Sequence, residues 1–238
     1  MRLSIIIAVY DSHEAVKRQV KYFRSLELPD DIEFILVDDG SDPPHDLDDY
    51  DLANLTVYWT HDTRPWTQGL ARNFGVKQAK GEYLLMTDID HILSYEAIMD
   101  SYKFTGDRMM FPRFFGVLLE DGTLTQDLEI LEDYGYDMSR YEKRGLYASY
   151  HGNTLCIKKS TFEKLGCYNP KYCTYGYHAT SRKGEDARFN GVWNKYAKKE
   201  GISPAVGSGI YMFPSGRYHK NNDFNPKGLF HELSYDPK

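Results

Sequence analysis

Three acidic clusters carry the chemistry open to this chain, and each lies where an apolar pattern meets polar sequence. They are Asp38-Asp39-Gly40-Ser41, Asp88-Ile89-Asp90 and Gly184-Glu185-Asp186. In an extended segment residues i and i+2 face the same way, so Asp88 and Asp90 converge while Ile89 points into the layer beneath. Two adjacent carboxylates repel unless a cation lies between them, and a hard divalent ion is their natural partner. The same spacing also occurs at solvated corners between a strand and a loop. Asp38 and Asp39 can accept from a pyrimidine imide N–H or a ribose hydroxyl, or simply end a strand, and Gly40 lets the chain turn there. The third cluster opens a helical pattern continued by Phe189, Val192 and Tyr196. Acids suit that position through the helix dipole, and one of them can also act as a general base towards a hydroxyl.

These side chains need a scaffold. Leu3 to Val9 is apolar on both faces, as a central parallel strand must be. Ser12 can cap a helix carrying Val16, Val20 and Phe23. A second strand, Glu33 to Val37, runs into Asp38, and a third, Thr56 to Thr60, precedes a helix near Gly69 to Lys80. Tyr83 to Thr87 is a fourth strand and ends at Asp88. Acidic clusters thus collect at the carboxyl ends of strands that alternate with helices, the edge where open α/β sheets bind ligands.

Further on, Arg108 to Leu119 and Thr123 to Gln126 read as a hairpin turning at Asp121-Gly122. Residues 127–150 carry no assignable pattern. Thr154 to Lys158 reads as a strand, Ser160-Thr161-Phe162-Glu163 has capping-box spacing, and the last strand runs from about Val206 to Phe213. The expectation is one domain over 1–238 in two halves, 1–105, which reads as a nucleotide-binding sheet, and 106–238.

Composition narrows the class. The 238 residues include 29 basic and 35 acidic side chains, a net charge of -6, and 15% aromatics. The aromatic content excludes disorder, and the acidic balance argues against non-specific nucleic-acid binding. Cys156, Cys167 and Cys173 are odd in number and form no C-x-x-C pair, so they read as reduced thiols. No apolar run approaches the roughly 20 residues of a membrane span. A cytoplasmic enzyme without integral membrane association is the expectation.

Several segments in order resemble family 2-type glycosyltransferases of the GT-A fold. They are Ile5-Ile6-Ile7-Ala8-Val9-Tyr10, Phe34-Ile35-Leu36-Val37-Asp38-Asp39-Gly40-Ser41, Leu70-Ala71-Arg72-Asn73-Phe74-Gly75, Lys80-Gly81-Glu82-Tyr83 and Asp88-Ile89-Asp90. The resemblance implies a mixed, mostly parallel Rossmann-like sheet flanked by helices, with its nucleotide site at the strand carboxyl ends. It further implies a nucleotide-sugar donor, usually a UDP-sugar, with Mn²⁺ or Mg²⁺. By this likeness Ala8, Tyr10, Asp38 and Asp39 lie at the nucleoside, Asp88 at the ribose or the metal, and Asp90 on the metal. Arg72 is placed either near the phosphates or on the helix surface.

The C-terminal half, through Gly152-Asn153-Thr154-Leu155-Cys156-Ile157, Phe162-Glu163-Lys164-Leu165-Gly166 and Gly184-Glu185-Asp186, resembles β-1,4-galactosyltransferase-like and polypeptide N-acetylgalactosaminyltransferase-like enzymes. That likeness implies Asp186 as general base of an inverting transfer, Gly184 and Glu185 at the acceptor or donor sugar, and His219 as a third metal ligand. The loop 167–184 departs from those enzymes and makes His178 a rival to His219. Trp66 is a candidate for stacking on a sugar face. The acceptor is a hydroxyl of a saccharide, a glycoconjugate or a modified nucleic-acid base. Two other readings stand beside this one. A sugar nucleotidyltransferase should carry a glycine-rich loop where Tyr10-Asp11-Ser12-His13 stands, and a non-catalytic glycan-binding module should have lost the acidic clusters.

Overall fold

The computed structural model describes residues 1–62, 64, 67–173, 184–214 and 229–230, the side chain of His151 excepted. Its centre is a nine-stranded sheet. The chain order is β1 (Leu3–Val9), α1 (His13–Arg24), β2 (Ile32–Asp38), β3 (Leu55–Trp59), α2 (Gln68–Gln78), β4 (Tyr83–Thr87), β5 (His91–Ile92) and α3 (Tyr95–Lys103). There follow β6 (Arg108–Phe115), β7 (Val117–Leu118), β8 (Leu124–Thr125), α4 (Leu128–Asp133), α5 (Met138–Arg144), β9 (Tyr147–Lys158), α6 (Lys159–Lys164), α7 (Glu185–Glu200), β10 (Ala205–Val206) and β11 (Ile210–Met212). In space the strands run β3-β2-β1-β4-β9-β6-β11-β5, with β10 also on β6. The first four are mutually parallel, while β9 runs antiparallel to both β4 and β6. This is the mixed, mostly parallel sheet the sequence leads one to expect.

Strand alternation divides the core between two faces. Ile5, Ile7 and Val9 of β1 pack with Val16, Val20 and Phe23 of α1 and Ile98 of α3. Ile6 and Ala8 face the other way, with Ala71 and Val76 of α2, Phe162 of α6, and Phe189 and Trp193 of α7. Each such fully buried large side chain contributes about 1.5–3 kcal/mol. A Cβ at Gly75 would lie 2.8 Å from Ile6 and 2.9 Å from Val37, so glycine lets α2 sit close on the sheet.

Some expectations need correction. Ser12 precedes α1 in a left-handed conformation and makes no side-chain cap. The hairpin at Gly122 is confined to β7 and β8, and β6 is a separate strand of the main sheet. Residues 127–150 hold two short helices, capped by Asp127 and Asp137. The 160–163 pattern is not a cap, because α6 starts at Lys159 and the Thr161 hydroxyl donates to Asp107 instead. The expected last strand is two, β10 and β11, with Gly207-Ser208-Gly209 between them. The three cysteines are free thiols, and among the described residues no helix is long and apolar enough to cross a membrane.

Candidate active site at the carboxyl edge of the sheet

The ends of β1 and β2 are tied together. The Asp39 N–H donates to the Val9 carbonyl, and Asp11 receives an N–H from Asp42 while giving its own to the Ser41 hydroxyl. Asp38 is buried and accepts three backbone N–H groups, from Gly40, Ser41 and His45, at 2.8–3.1 Å. These bonds hold the turn in shape, and Ala8 packs in the core with Ala71 of α2. Tyr10 is 42% exposed at the strand end, so its ring is not a core residue.

Asp39 is different in kind. Its oxygens receive hydroxyl donors from Thr60 at 3.2 Å and Thr67 at 2.8 Å. Burial raises its pKa to about 6, with Asp62 and Asp38 pushing the same way and the two hydroxyls opposing. Uncharged donors only partly replace the water this carboxylate has lost.

Asp88 and Asp90 come together through a tight turn rather than through strand alternation. β4 ends at Thr87, and the His91 N–H closes back on the Asp88 carbonyl at 3.1 Å. Ile89 packs at the margin of the core. One oxygen of Asp88 receives the Gln68 amide at 2.7 Å and the Arg72 guanidinium. Arg72 is therefore neither a surface residue nor an open phosphate contact: it is fully buried and ion-paired. Burial would lower its pKa, but Asp88, Tyr168 and Glu185 outweigh that and raise it, which keeps the guanidinium charged.

The first turn of α2 is thus a hub. Thr67, just before the helix, holds Asp39; Gln68 and Arg72 hold Asp88. A Cβ on Gly69 would stand 2.6 Å from the Cys173 sulfur and 2.8 Å from Glu185, so the start of α7 packs directly on this turn. Asn73 clamps the Tyr168 backbone from both sides, accepting its N–H at 3.0 Å and donating to its carbonyl at 2.7 Å. The alanine-arginine-asparagine segment of the sequence is the device that fixes one acidic cluster relative to the next.

Glu185 and Asp186 separate across the helix start. Glu185 is buried against Gly69 and Cys173, in the field of Arg72, whereas Asp186 is half-buried and lies beside Gly152 of β9. Two residues along β9, Thr154 meets the His91 ring at 2.7 Å. One stretch of β9 therefore touches both the Asp88–His91 turn and the helix that carries the candidate base. Gly184 is the N-cap residue of α7.

Ligand atoms of Asp88, Asp90 and His91 lie within 4.8 Å of one another. His91 was not among the sequence candidates, although it directly follows the D-x-D triplet and that adjacency was its signal. Its Nε2 faces Arg113 at 2.9 Å, and a guanidinium can only donate, so this nitrogen accepts and the ring proton sits on Nδ1 towards Thr154. Held in this way, the ring buttresses the turn. The oxygen donors of Asp88 and Asp90 are of the hard type that would suit Mg²⁺ or Mn²⁺. Trp66, His178 and His219 lie outside the described residues.

Comparison with known proteins fits this geometry. Residues 4–164 match the family described as Glycosyl transferase family 2. The match ends before α7, so the galactosyltransferase-like character expected of the C-terminal half finds no counterpart in it. A poly(ribitol-phosphate) beta-glucosyltransferase of Bacillus spizizenii is 34% identical over 109 residues, 44% of this chain but 17% of that protein. Among solved structures, S. aureus TarS 1-349 superposes with a TM-score of 0.57 at 16% identity, covering 89% of this chain and 60% of that one. The same fragment in complex with UDP-GlcNAc gives 0.53 at 17% identity, over 89% of this chain and 58% of that one. The mannosyltransferase PcManGT from Pyrobaculum calidifontis, in complex with GDP-Man and Mn²⁺, gives 0.52 at 17%, over 87% of this chain and 56% of that one. These likenesses show the GT-A fold, and the chain spans only part of each relative.

Proposed function

We propose that this chain, which belongs to glycosyl transferase family 2, is a glycosyltransferase that moves a sugar from a UDP-sugar to an acceptor hydroxyl by a single inverting displacement that depends on a divalent metal. Tyr10 stacks on the uracil and Asp39 accepts its imide N–H. Asp88 and Asp90 would hold the ion, which supplies charge neutralisation to the departing diphosphate. Asp186 takes the acceptor proton as the oxygen attacks the anomeric carbon, and Glu185, turned inward, sets the position of its neighbour. His219, from the expected metal set, is a further ligand in this reading, and Trp66 and Gly184 lie at the sugar.

One observation carries the proposal. Thr67 at the N-cap of α2 holds Asp39, and Gln68 and Arg72 of the helix hold Asp88, so the proposed nucleoside contact and the proposed diphosphate contact are tied to one short stretch, 67–72. A transferase needs that spacing preset, because orientation is where much of its rate advantage arises. The presence of UDP-GlcNAc with one structural neighbour and Mn²⁺ with another supports the donor and the ion.

The test is calorimetry of UDP-sugar binding with Mn²⁺ and with chelator, followed by Asp186→Asn. Binding that needs the ion, with the variant keeping donor affinity but losing about 10²-fold or more in turnover, is the expected result. Chelator-insensitive binding would refute the metal, and a product of retained anomeric configuration would refute the displacement.

A further inference from the structure

Beyond the acidic edge, α5 and the start of β9 enclose a cleft of about 320 Å³. Its walls include Phe115, Tyr136, Arg140, Lys143, Arg144 and Tyr147, so three cations line it and no carboxylate does. Arg140 lies 3.7 Å from Asp137, and Lys143 and Arg144 form no ion pair among the described residues. In a chain of net charge -6 this concentration runs against the overall balance. Cations in the last turn of a helix are ordinarily explained by its dipole, but dipole complementarity needs no cleft beneath them. Tyr147, 39% exposed, brings aromatic surface into the same lining as the charges.

The cleft sits on the same edge of the sheet as the acidic site. Leu155 of β9 pairs with both Met86 and Met110, and four residues further along β6, Phe114 pairs with Tyr147. Strand spacing and rise then put the cleft on the order of 15 Å from Asp88. That distance is too long for the donor's own diphosphate and suits a neighbouring unit of an extended acceptor.

We infer that the cleft binds a phosphodiester group of the acceptor, a saccharide or polyol chain of which another unit presents its hydroxyl to Asp186. Guanidinium forks pair with phosphate oxygens, Lys143 adds a point charge, and the tyrosine faces take the intervening apolar sugar or polyol surface. The inference rests on the transferase reading above, and its test is separable from it. Titrate the protein with sodium polyphosphate, oligogalacturonate and dextran at low salt, reading tyrosine fluorescence. Compare wild type with the Lys143→Gln, Arg144→Gln double variant, whose exposed positions leave the melting temperature in place.

The wild type should bind polyphosphate more tightly than oligogalacturonate and not bind dextran. The double variant should lose about tenfold or more, and the slope of log affinity against log salt should flatten by about one to two. Equal binding by the variant, or preference for the uronate or the neutral chain, overturns the inference. Failure of the wild type to bind any UDP-sugar while polyphosphate still binds would instead strike the transferase reading alone.

Discussion

A carboxylate whose pKa is raised to about 6 makes donor binding depend on pH in a range where an ordinary aspartate would be silent. If Asp39 accepts the uracil imide N–H, only its ionised form binds, and the apparent affinity scales with the ionised fraction. That fraction is about nine-tenths at pH 7 and about one-tenth at pH 5, so affinity should fall about tenfold, or about 1.4 kcal/mol. A carboxylate with the usual value of about 3.9 would lose less than a tenth of its ionised form over the same interval.

The assay is calorimetric titration with a UDP-sugar at fixed Mn²⁺ from pH 5 to pH 7.5, because a UDP-sugar has no phosphate that titrates in that window. Proton release on binding should appear as a dependence of the observed enthalpy on buffer. Asp39→Asn should bind more weakly at pH 7 and lose the pH dependence. Stability moves oppositely. A raised folded pKa means that this group's contribution is fully present below its unfolded value and lost as pH rises through about 6. Flat wild-type affinity from pH 5 to 7.5, or an Asn variant with the wild-type slope, would refute the assignment of Asp39 to the nucleoside.

Three other perturbations probe the same edge. Replacing Arg72 by Met leaves Asp88 buried without its charged partner and should cost about 3–5 kcal/mol in urea denaturation, whereas a loss under 1 kcal/mol would show the pair to be dispensable. Asp90→Ala should remove most Mn²⁺ affinity by calorimetry while leaving the melting temperature close to wild type; unchanged metal affinity would move the site elsewhere. Gly69→Ala forces a methyl group against Cys173 and Glu185, and overpacking of this kind costs about 1–3 kcal/mol. Turnover should fall with it, and a fully active Ala variant would break the link drawn between α2 and α7.

The parallel half of the sheet was legible because buried strands leave continuous β-branched runs, as in Leu3–Val9 and Ile32–Asp38. The segment 127–150 was not, since α4 and α5 are too short to show a period; their aspartate caps were present but had no periodic run behind them. Arg72 illustrates a different blindness. Charged helix residues read as surface unless their partner is known, and the partner, Asp88, lies beyond another helix turn, a loop and a strand. His91 was passed over because D-x-D reasoning stops at the second aspartate, while the ring's position depends on Thr154 and Arg113, far along the chain.

What separates the acids of this edge is how much of each the fold has already satisfied. Asp38 has three backbone N–H donors and Asp88 a buried guanidinium with an amide, so both are positioned by the scaffold. Among the described residues Asp39 receives only hydroxyls, which do not offset its burial, and its pKa is raised accordingly. The carboxylates of Asp90 and Asp186 receive no hydrogen bond among the described residues; beside them, one oxygen of Asp88 is held by Arg72 and Gln68, and Glu185 packs against Gly69. Burial without full satisfaction is costly to a charge, which is why the pKa of Asp39 rises, whereas half-buried Asp90 and Asp186 stay open to a partner from solvent. Under the proposed function these differences match the three partners required there: an uncharged N–H donor at Asp39, a cation at Asp90, and the acceptor's proton at Asp186.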